Sequence, residues 1–303
     1  MHILVIGGNG FIGSHLVDVL LASGHKVRVF DRMAEKYRPP LEGVEYQLAS
    51  FNDTAALSEA LEGIDVVYHL VSTTVPATSN RDPVADIESN LINTVKLLQL
   101  MQQQGIKRII FLSSGGTVYG IPTTPVVSED HALRPICSYG IVKVAIENYL
   151  HMFHQLYGID YLCLRVSNPY GPRQGHLGVQ GVIGTFLGKI KEGSEIQIWG
   201  DGSIIRDYIY VTDLASICAK AASFSKSGTF NVGSGVGTSL LDIVDVLSEL
   251  NQADITPQFL PQRGYDVPKI VLNIERAKDA FGWSPSVKLS QGMGMTWRWL
   301  VSL

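Results

Sequence analysis

The fold class is indicated first by the stretch Ile3-Leu4-Val5-Ile6-Gly7-Gly8-Asn9-Gly10-Phe11-Ile12-Gly13. Its apolar start predicts a buried strand, and the glycines predict a sharp turn into a helix. Glycine is required there because the backbone must approach a pyrophosphate closely, while the helix N-terminus supplies free N–H donors. The predicted inward face of that helix consists of Ile12, Leu16, Val19 and Leu20. The stretch therefore predicts a dinucleotide site at the first strand–helix turn.

A carboxylate stands where such a site needs one. Asp31 ends the second predicted strand, about 20 residues beyond the glycines, where it can accept hydrogen bonds from an adenosine ribose. The same charge would repel a 2′-phosphate, which favours NAD over NADP, although the neighbouring Arg32 leaves NADP open.

Short apolar runs and helical periods alternate along the first half of the chain, which predicts a parallel sheet with helices on both faces. The predicted strands are Ile3–Ile6, Lys26–Phe30, Val44–Leu48, Val66–Leu70, Arg108–Leu112 and Tyr161–Arg165. One helix, around 84–104, has the apolar face Ile87, Leu91, Val95, Leu98 and Met101. A second, Ser138–Tyr157, has the apolar face Val142, Ala145, Ile146, Tyr149, Leu150 and Phe153.

After Arg165 the sequence becomes rich in turns and loses this alternation. We expect a cofactor-binding domain over 1–168 and a smaller substrate-binding lobe over 169–303, with the segment at about 207–232 able to pack back onto the first domain.

The composition excludes several classes of function. With 303 residues, 46% apolar and 17% charged, the chain is too apolar to be disordered, and no apolar run is long enough to span a bilayer. A net charge of −4 without a basic cluster gives no indication of nucleic-acid binding. We expect a cytoplasmic protein with a small-molecule partner and no membrane or nucleic-acid partner.

The potential metal ligands are few and scattered. Cys137, Cys163 and Cys218 lack metal-binding spacing and are expected to be buried thiols of a reducing compartment. His151 and His154 share a helix, but no third ligand is evident, so no metal is expected.

Tyr139 and Lys143 are four residues apart in the second long helix, which places them on one face. A nearby ammonium favours the phenolate and lowers the pKa of the tyrosine, whose usual value is about 10. The pair could then remove a proton from a sugar hydroxyl, although this spacing alone is also common on helix surfaces.

Seven blocks in order make the whole chain resemble the extended short-chain dehydrogenase/reductase family, in its NAD-dependent sugar-nucleotide epimerase/dehydratase branch. They are GGNGFIG with Asp31, SSGGTVYG (113–120), SYGIVK (138–143), RVSNPYGP (165–172), WGDGSIIRDYIYVTD (199–213), FNVGSG (230–235) and QRGYDVP (262–268). The resemblance implies an α/β protein with a Rossmann, doubly wound parallel sheet and a smaller mixed α/β substrate-binding lobe. It also implies a homodimer formed through the two long helices.

Site residues follow from the same resemblance. Those implied for NAD are Gly7, Gly10, Phe11, Ile12, Gly13, Asp31, Arg32, Ser50, Phe51, Leu70, Val71, Ser72, Asn90, Ser113, Tyr139 and Lys143. Ser50 departs from the acidic residue usual at its position. Those implied for the nucleotide sugar are Asn168, Trp199, Arg206, Tyr208, Arg263, Asp266 and Ile270, the last near the hexose.

The family's catalytic Ser or Thr, three residues before Val-Tyr-Gly, is replaced here by Gly115. Ser114 or Thr117 could supply the hydroxyl instead, and the loss of one such hydrogen bond would cost about 2–4 kcal/mol. Related dehydratases carry acidic residues where Gly116 and Thr117 stand.

The absence of an extra acid or base favours epimerisation. The predicted activity is an NAD-dependent nucleotide-sugar 4-epimerase, with a UDP-hexose as substrate and a 4-keto intermediate. The alternatives are an NAD(P)H-dependent nucleotide-4-keto-sugar reductase and a non-catalytic NAD-binding relative.

Overall fold

The computed structural model describes residues 1–175, 181–261 and 267–303. Its strands are β1 (His2–Ile6), β2 (Lys26–Asp31), β3 (Val44–Leu48), β4 (Val66–His69), β5 (Arg108–Ser114), β6 (Asp160–Val166), β7 (Asn168–Tyr170), β8 (Gln197–Trp199), β9 (Ile205–Tyr210), β10 (Gly228–Val232), β11 (Gly237–Ser239), β12 (Gln258–Leu260) and β13 (Lys269–Ile270). Six of these coincide with the six predicted strands to within two residues at either end.

The helices are α1 (Phe11–Ala22), α2 (Thr54–Ala60), α3 (Pro76–Ser79), α4 (Pro83–Asp86), α5 (Asn93–Gln103), α6 (Ser138–Tyr157), α7 (Val182–Lys191), α8 (Val211–Ala221), α9 (Leu240–Asn251), α10 (Glu275–Phe281) and α11 (Leu289–Val301). A π-helical segment, Ile87–Ile92, joins α4 to α5. None of the helices in the described ranges is long and apolar enough to cross a membrane.

Seven parallel strands form the central sheet in the order β10-β6-β5-β4-β1-β2-β3. The order reverses beside β1, where the chain crosses from one half of the sheet to the other, and ligands bind at such a switch point in doubly wound folds. The predicted Rossmann fold is confirmed. Strand β10 follows several strands of the second lobe in sequence, yet it pairs with β6 at the sheet edge.

Helices cover both faces of this sheet. On one face α1 and α8 pack together, and Leu16 and Leu20 are fully buried there. On the other face the buried residues include Leu98 and Met101 of α5 and Ile146 and Leu150 of α6. Val19, predicted to point inward, is only partly buried, whereas Val17 lies in that core.

The helix predicted around 84–104 is interrupted by the π-helical segment. A π turn holds more residues than an α turn, so residues before it are rotated out of the 3.6-residue pattern that holds afterwards. Ile87, predicted to be buried, is accordingly 40% exposed, whereas Leu98 and Met101 are fully buried. Tyr149 of α6 lies at the edge of the buried face and is also exposed.

The second lobe is built on two small sheets. One has the order β11-β9-β13 with β7 paired to β9, and the other consists of β12 and β8. Helices α7, α9 and α11 enclose a core that includes Phe186, Ile198 and Met293. Asp207 in β9 accepts hydrogen bonds from the backbone of Ser234 and Gly235 at 2.7 and 3.1 Å, which anchors this lobe to the segment after β10.

Two of the three cysteines are fully buried, as predicted: Cys163 in β6 and Cys218 in α8. Cys137 is the exception, because it precedes α6 and lines a cavity described below, which leaves it partly exposed.

Candidate active site

A cleft lies along the carboxyl ends of the central strands and extends between the two lobes. It consists of two cavities of about 1030 and 710 Å³ that share lining residues from both lobes, among them Ile12, Tyr139 and Arg206. Its position at the strand ends is where open α/β sheets bind ligands.

The glycine-rich turn forms one wall of the larger cavity through Gly7, Gly10 and Gly13. Gly7 has φ +88°, which favours glycine, and a Cβ on Gly13 would overlap the backbone of Gly7 and Gly8. No side chain caps α1 at Gly10, so its first N–H groups remain available. These features fit a dinucleotide pyrophosphate.

The loop after β2 is ordered around Asp31. Its carboxylate accepts hydrogen bonds from the backbone of Asn9 at 3.1 Å and of Met33 at 3.2 Å. The carboxylate therefore stands beside the glycine turn, where a ribose of the dinucleotide would lie, while Arg32 is exposed.

The other residues predicted for the cofactor divide into two groups. Phe11, Ile12, Leu70, Ser72 and Ser113 line the cleft. The remainder stand behind it or away from it: Ser50 is exposed, Phe51 is buried against His69 with the ring centroids 5.0 Å apart, and Val71 packs against the same core. Asn90 is buried, and its amide oxygen accepts a hydrogen bond from the Thr73 backbone at 2.9 Å, so it shapes the cleft wall from behind.

Tyr139 and Lys143 lie on one face of α6, as predicted, and both line the smaller cavity. The Lys143 ammonium lies 5.5 Å from the Tyr139 ring centroid and donates a 2.9 Å hydrogen bond to the carbonyl of Leu112. Burial lowers the pKa of Lys143 to about 8. Burial also raises the pKa of Tyr139 to about 12, so a further positive charge in the cleft would be needed to favour the phenolate.

The hydroxyl beside Tyr139 belongs to Ser114. The Ser114 side chain lies close enough to the phenol to oppose the rise in the pKa of Tyr139. Gly115 continues the strand, its N–H bonded to the carbonyl of Val166, and a Cβ at that position would point at Leu272. Thr117 lines the same cavity, but its buried hydroxyl has no hydrogen-bond partner among the described residues.

A buried network lies beneath this pair. Glu147, one helical turn beyond Lys143, accepts a 2.5 Å hydrogen bond from Ser113 and pairs with Arg165 at 2.7 Å. Arg165 in turn donates to the hydroxyl of Tyr119 at 3.0 Å. These contacts fix α6 against β5 and β6 and thereby fix the orientation of Tyr139 and Lys143.

The residues predicted for the nucleotide sugar are only partly brought together. Asn168 and Arg206 line both cavities, and Trp199 and Tyr208 line the larger one. Trp199 is 40% exposed at the wall of this cavity. Arg263 and Asp266 lie outside the described residues.

Ile270 does not reach the cleft. It is 2% exposed within a core cluster that includes Val118, Tyr119 and Leu272. Ile270 is therefore absent from the residues that line the two cavities, and the structure does not bring this predicted hexose contact to the cleft.

Several lining residues were not predicted from the sequence. The larger cavity is also lined by Lys36, Tyr37 and Phe186, and the smaller by Asn80 and Arg81. They come from irregular loops or from the second lobe, where no periodic pattern marks them. No group of three His, Cys, Asp or Glu that could hold a metal occurs among residues 1–175, 181–261 and 267–303.

Comparison with known proteins agrees with this geometry. The model of the NAD dependent epimerase/dehydratase family matches residues 3–233. The UDP-glucose 4-epimerase of Mycolicibacterium smegmatis is 35% identical, with 98% of this chain and 97% of that protein covered. A dTDP-4-dehydro-6-deoxyglucose reductase of Escherichia coli is 34% identical over 96% of this chain and 95% of its own length.

Two solved structures are also similar. The UDP-glucose 4-epimerase of Thermotoga maritima with UDP-glucose superposes with a TM-score of 0.95 at 35% identity, covering 100% of this chain and 99% of that one. The UDP-glucose 4-epimerase of Thermus thermophilus in complex with NAD gives 0.91 at 33% identity and covers 99% of each chain.

The chain belongs to the NAD-dependent epimerase/dehydratase family. NAD as the cofactor and nucleotide-sugar 4-epimerase as the activity, both predicted from the sequence, are confirmed by these similarities.

Proposed function

We propose that this enzyme interconverts C4 epimers of a UDP-hexose, with Tyr139 as the group that exchanges the proton of the 4-hydroxyl. One observation carries the assignment: Tyr139, Lys143 and Ser114 meet in a cleft whose other end is lined by the glycine turn. The uridine and the hexose are suggested by the names of the relatives.

In this mechanism the Tyr139 phenolate accepts the proton of the sugar 4-hydroxyl, and Lys143 stabilises the phenolate charge. NAD, when bound, supplies two things: an acceptor for the C4 hydride, and a positive charge in the cleft. Ser114 donates a hydrogen bond to the reacting oxygen and so keeps the developing charge in place. After the 4-keto sugar has turned, C4 would regain the hydride on its opposite face while Tyr139 returns the proton to the oxygen.

That turn requires the substrate to be held at a distance from the reacting carbon. Arg206 and Asn168 line the cleft on the side of the second lobe, where a guanidinium suits diphosphate oxygens, and Trp199 lies beyond them. Arg263 and Asp266 are proposed for the same side. Binding energy from the nucleotide then retains the ketone while its sugar rotates.

The hexose is proposed to be glucose or galactose, with tolerance for the N-acetyl forms. The smaller cavity, which Tyr139 lines, has a volume of about 710 Å³ and includes Ala77, Gly116 and Gly120 in its lining, which supports the proposed tolerance for an added acetamide. We further propose that the cofactor-binding domain is 1–168, with α8 and β10 of the segment at about 207–232 packed back onto it, that the nucleotide-sugar lobe is 169–303, and that the enzyme acts in the cytoplasm.

A homodimer is proposed through α5 and α6. Besides its buried face, α6 has a second apolar face that is exposed: Ile141, Tyr149, Met152 and Leu156. Leu156 is 64% exposed, and Ile92 beside the start of α5 adds a further exposed apolar side chain. Contiguous exposed apolar surface of this kind marks protein–protein contacts.

The test is incubation of the purified enzyme with UDP-glucose, UDP-galactose and their N-acetyl forms, followed by proton NMR. Interconversion without added cofactor is expected, and Tyr139→Phe is expected to abolish it while NAD stays bound. If a nucleotide 4-keto sugar instead consumed added NADPH and no epimer formed, the enzyme would be a reductase. If none of the UDP-, GDP- and dTDP-sugars turned over, the protein would be a non-catalytic relative.

A further inference from the structure

Asp86 is a fully buried carboxylate with no role in the mechanism above. It ends α4, is 0% exposed, and is surrounded by hydrogen-bond donors: Thr74 at 2.7 Å, Asn90 at 2.8 Å and Ser138 at 2.7 Å. Among the described residues it has no ion-pair partner. A buried carboxylate without a cation is costly, so it is retained only where its surroundings stabilise it.

The three donors connect Asp86 to two parts of the active site. Ser138 immediately precedes Tyr139 at the start of α6, and its backbone N–H is held in turn by the side chain of Asn80 at 2.8 Å. Thr74 lines the larger cavity. Asn90, in the π-helical segment, binds Asp86 with its amide nitrogen and Thr73 with its amide oxygen.

The charge of Asp86 also acts on the reacting pair. It raises the pKa of Tyr139 and that of Lys143, against the dominant effect of burial on the lysine. Other titratable groups act on the same two side chains. Cys137 acts on Tyr139, Cys163 and Glu147 act on Lys143, His69 lies near Lys143, and Arg81 and Arg206 line the cleft.

We propose that Asp86 is a positioning residue for the reaction, which holds the first turn of α6 against the cofactor-cleft loop and sets the pH range in which Tyr139 and Lys143 work together. The π-helical segment brings Asn90 and Asp86 together for this purpose, since π turns are often found at functional sites. The inference rests on the proposed function, because it assigns Tyr139 and Lys143 their roles.

The sign of the effect can be derived from the charge alone. A negative charge favours the neutral phenol over the phenolate and favours the ammonium over the neutral amine. Its removal therefore lowers the apparent pKa of Tyr139 and that of Lys143 together. Both limbs of the pH profile of kcat move toward lower pH, whereas a merely structural defect lowers the maximum and leaves the limbs in place.

The test compares Asp86→Asn with Asp86→Ala in the NAD-bound enzyme. Asparagine retains the size and most of the hydrogen bonds but not the charge, so we expect near-normal maximal kcat with both limbs shifted toward lower pH. Alanine loses the hydrogen bonds as well, and we expect kcat to fall at least about tenfold. Asp82→Asn serves as the control, because it removes an exposed charge from the same helix and asparagine caps equally well.

A second measurement does not depend on turnover. Titration of carbon-13-labelled tyrosine by NMR, with Tyr139→Phe to assign the signal, gives the pKa of Tyr139 without substrate, and Asp86→Asn is expected to lower it. This result would stand even if no sugar were epimerised, so the two proposals fail separately. The inference is overturned if Asp86→Asn leaves both the Tyr139 titration and the limbs unchanged, or if it loses as much activity as Asp86→Ala.

Discussion

Gly115 lies directly against Leu272: a Cβ built on this glycine would come within 2.6 Å of Leu272 Cδ1 and 3.0 Å of the Arg165 carbonyl. A side chain at this position would point into the core and away from the cleft. Ser114 lines the same cavity as Tyr139, and we therefore infer that Ser114, not position 115, supplies the hydroxyl for the reaction.

We predict that Gly115→Ser gives no gain in activity and lowers stability. The added atoms must displace Leu272, and overpacking of a core typically costs about 1–3 kcal/mol. Thermal unfolding and kcat measured on the same preparation test this. A Gly115→Ser enzyme that is faster than wild type and equally stable would contradict the orientation of the loop.

Ser114→Ala is expected to lower kcat by about a hundredfold, because one positioned hydrogen bond at a reacting oxygen is worth roughly 2–4 kcal/mol. Ser114→Thr retains a hydroxyl and should recover most of the rate. Steady-state kinetics with the preferred sugar give kcat for both variants. An unimpaired Ser114→Ala enzyme would indicate that Thr117, which lines the same cavity, supplies the hydroxyl instead.

The activity should fall as the pH rises above about 8. The pKa of Lys143 is lowered to about 8 by burial, so its ammonium is lost above that pH and the phenolate of Tyr139 is no longer stabilised. Lys143→Met should have low kcat at every pH and no basic limb of this origin. If the basic limb persisted unchanged in Lys143→Met, the titration of another group would be its cause.

Glu147→Gln is expected to destabilise the protein by about 3–5 kcal/mol, because it leaves the buried guanidinium of Arg165 without its counter-charge. The matched control is Glu45→Gln, which breaks the more exposed pair with Arg28 and should cost less than about 1 kcal/mol. Chemical denaturation gives both values. Equal losses in the two variants would show that the network beneath α6 adds little stability.

Leu156→Glu combined with Met152→Glu should convert a dimer to a monomer, since both side chains lie on the exposed apolar face of α6. Val301→Glu introduces the same charge at an exposed apolar residue near the end of α11 and should leave the assembly unchanged. Light scattering measures the mass of each variant. A wild-type protein that is monomeric at micromolar concentration would contradict the proposed dimer.

The central sheet could be predicted well from the sequence because its signals are local. The apolar run before Gly7 and the spacing of Tyr139 and Lys143 each follow from a few neighbouring residues and the geometry of one element. The π-helical segment has no such signal, so the apolar spacing from Ile87 to Met101 predicts one continuous α-helix where the structure has an interrupted one.

The cleft depends on contacts between residues far apart in the chain, and there the prediction is less successful. The resemblance assigns Ile270 to the hexose, yet the structure packs this residue into a core with Val118 and Leu272. No sequence pattern marks Asp86, because its partners Thr74 and Ser138 come together only through the packing of α4 against α6.

The strand β10 has a practical consequence for protein engineering. Since this outermost strand of the cofactor-binding sheet is encoded after β7, β8 and β9, a chain truncated after residue 168 would expose the edge of β6 and the face of α1 that α8 covers. A transplantable NAD module from this enzyme must therefore be assembled from two separate gene segments, joined by a designed linker in place of the excised lobe.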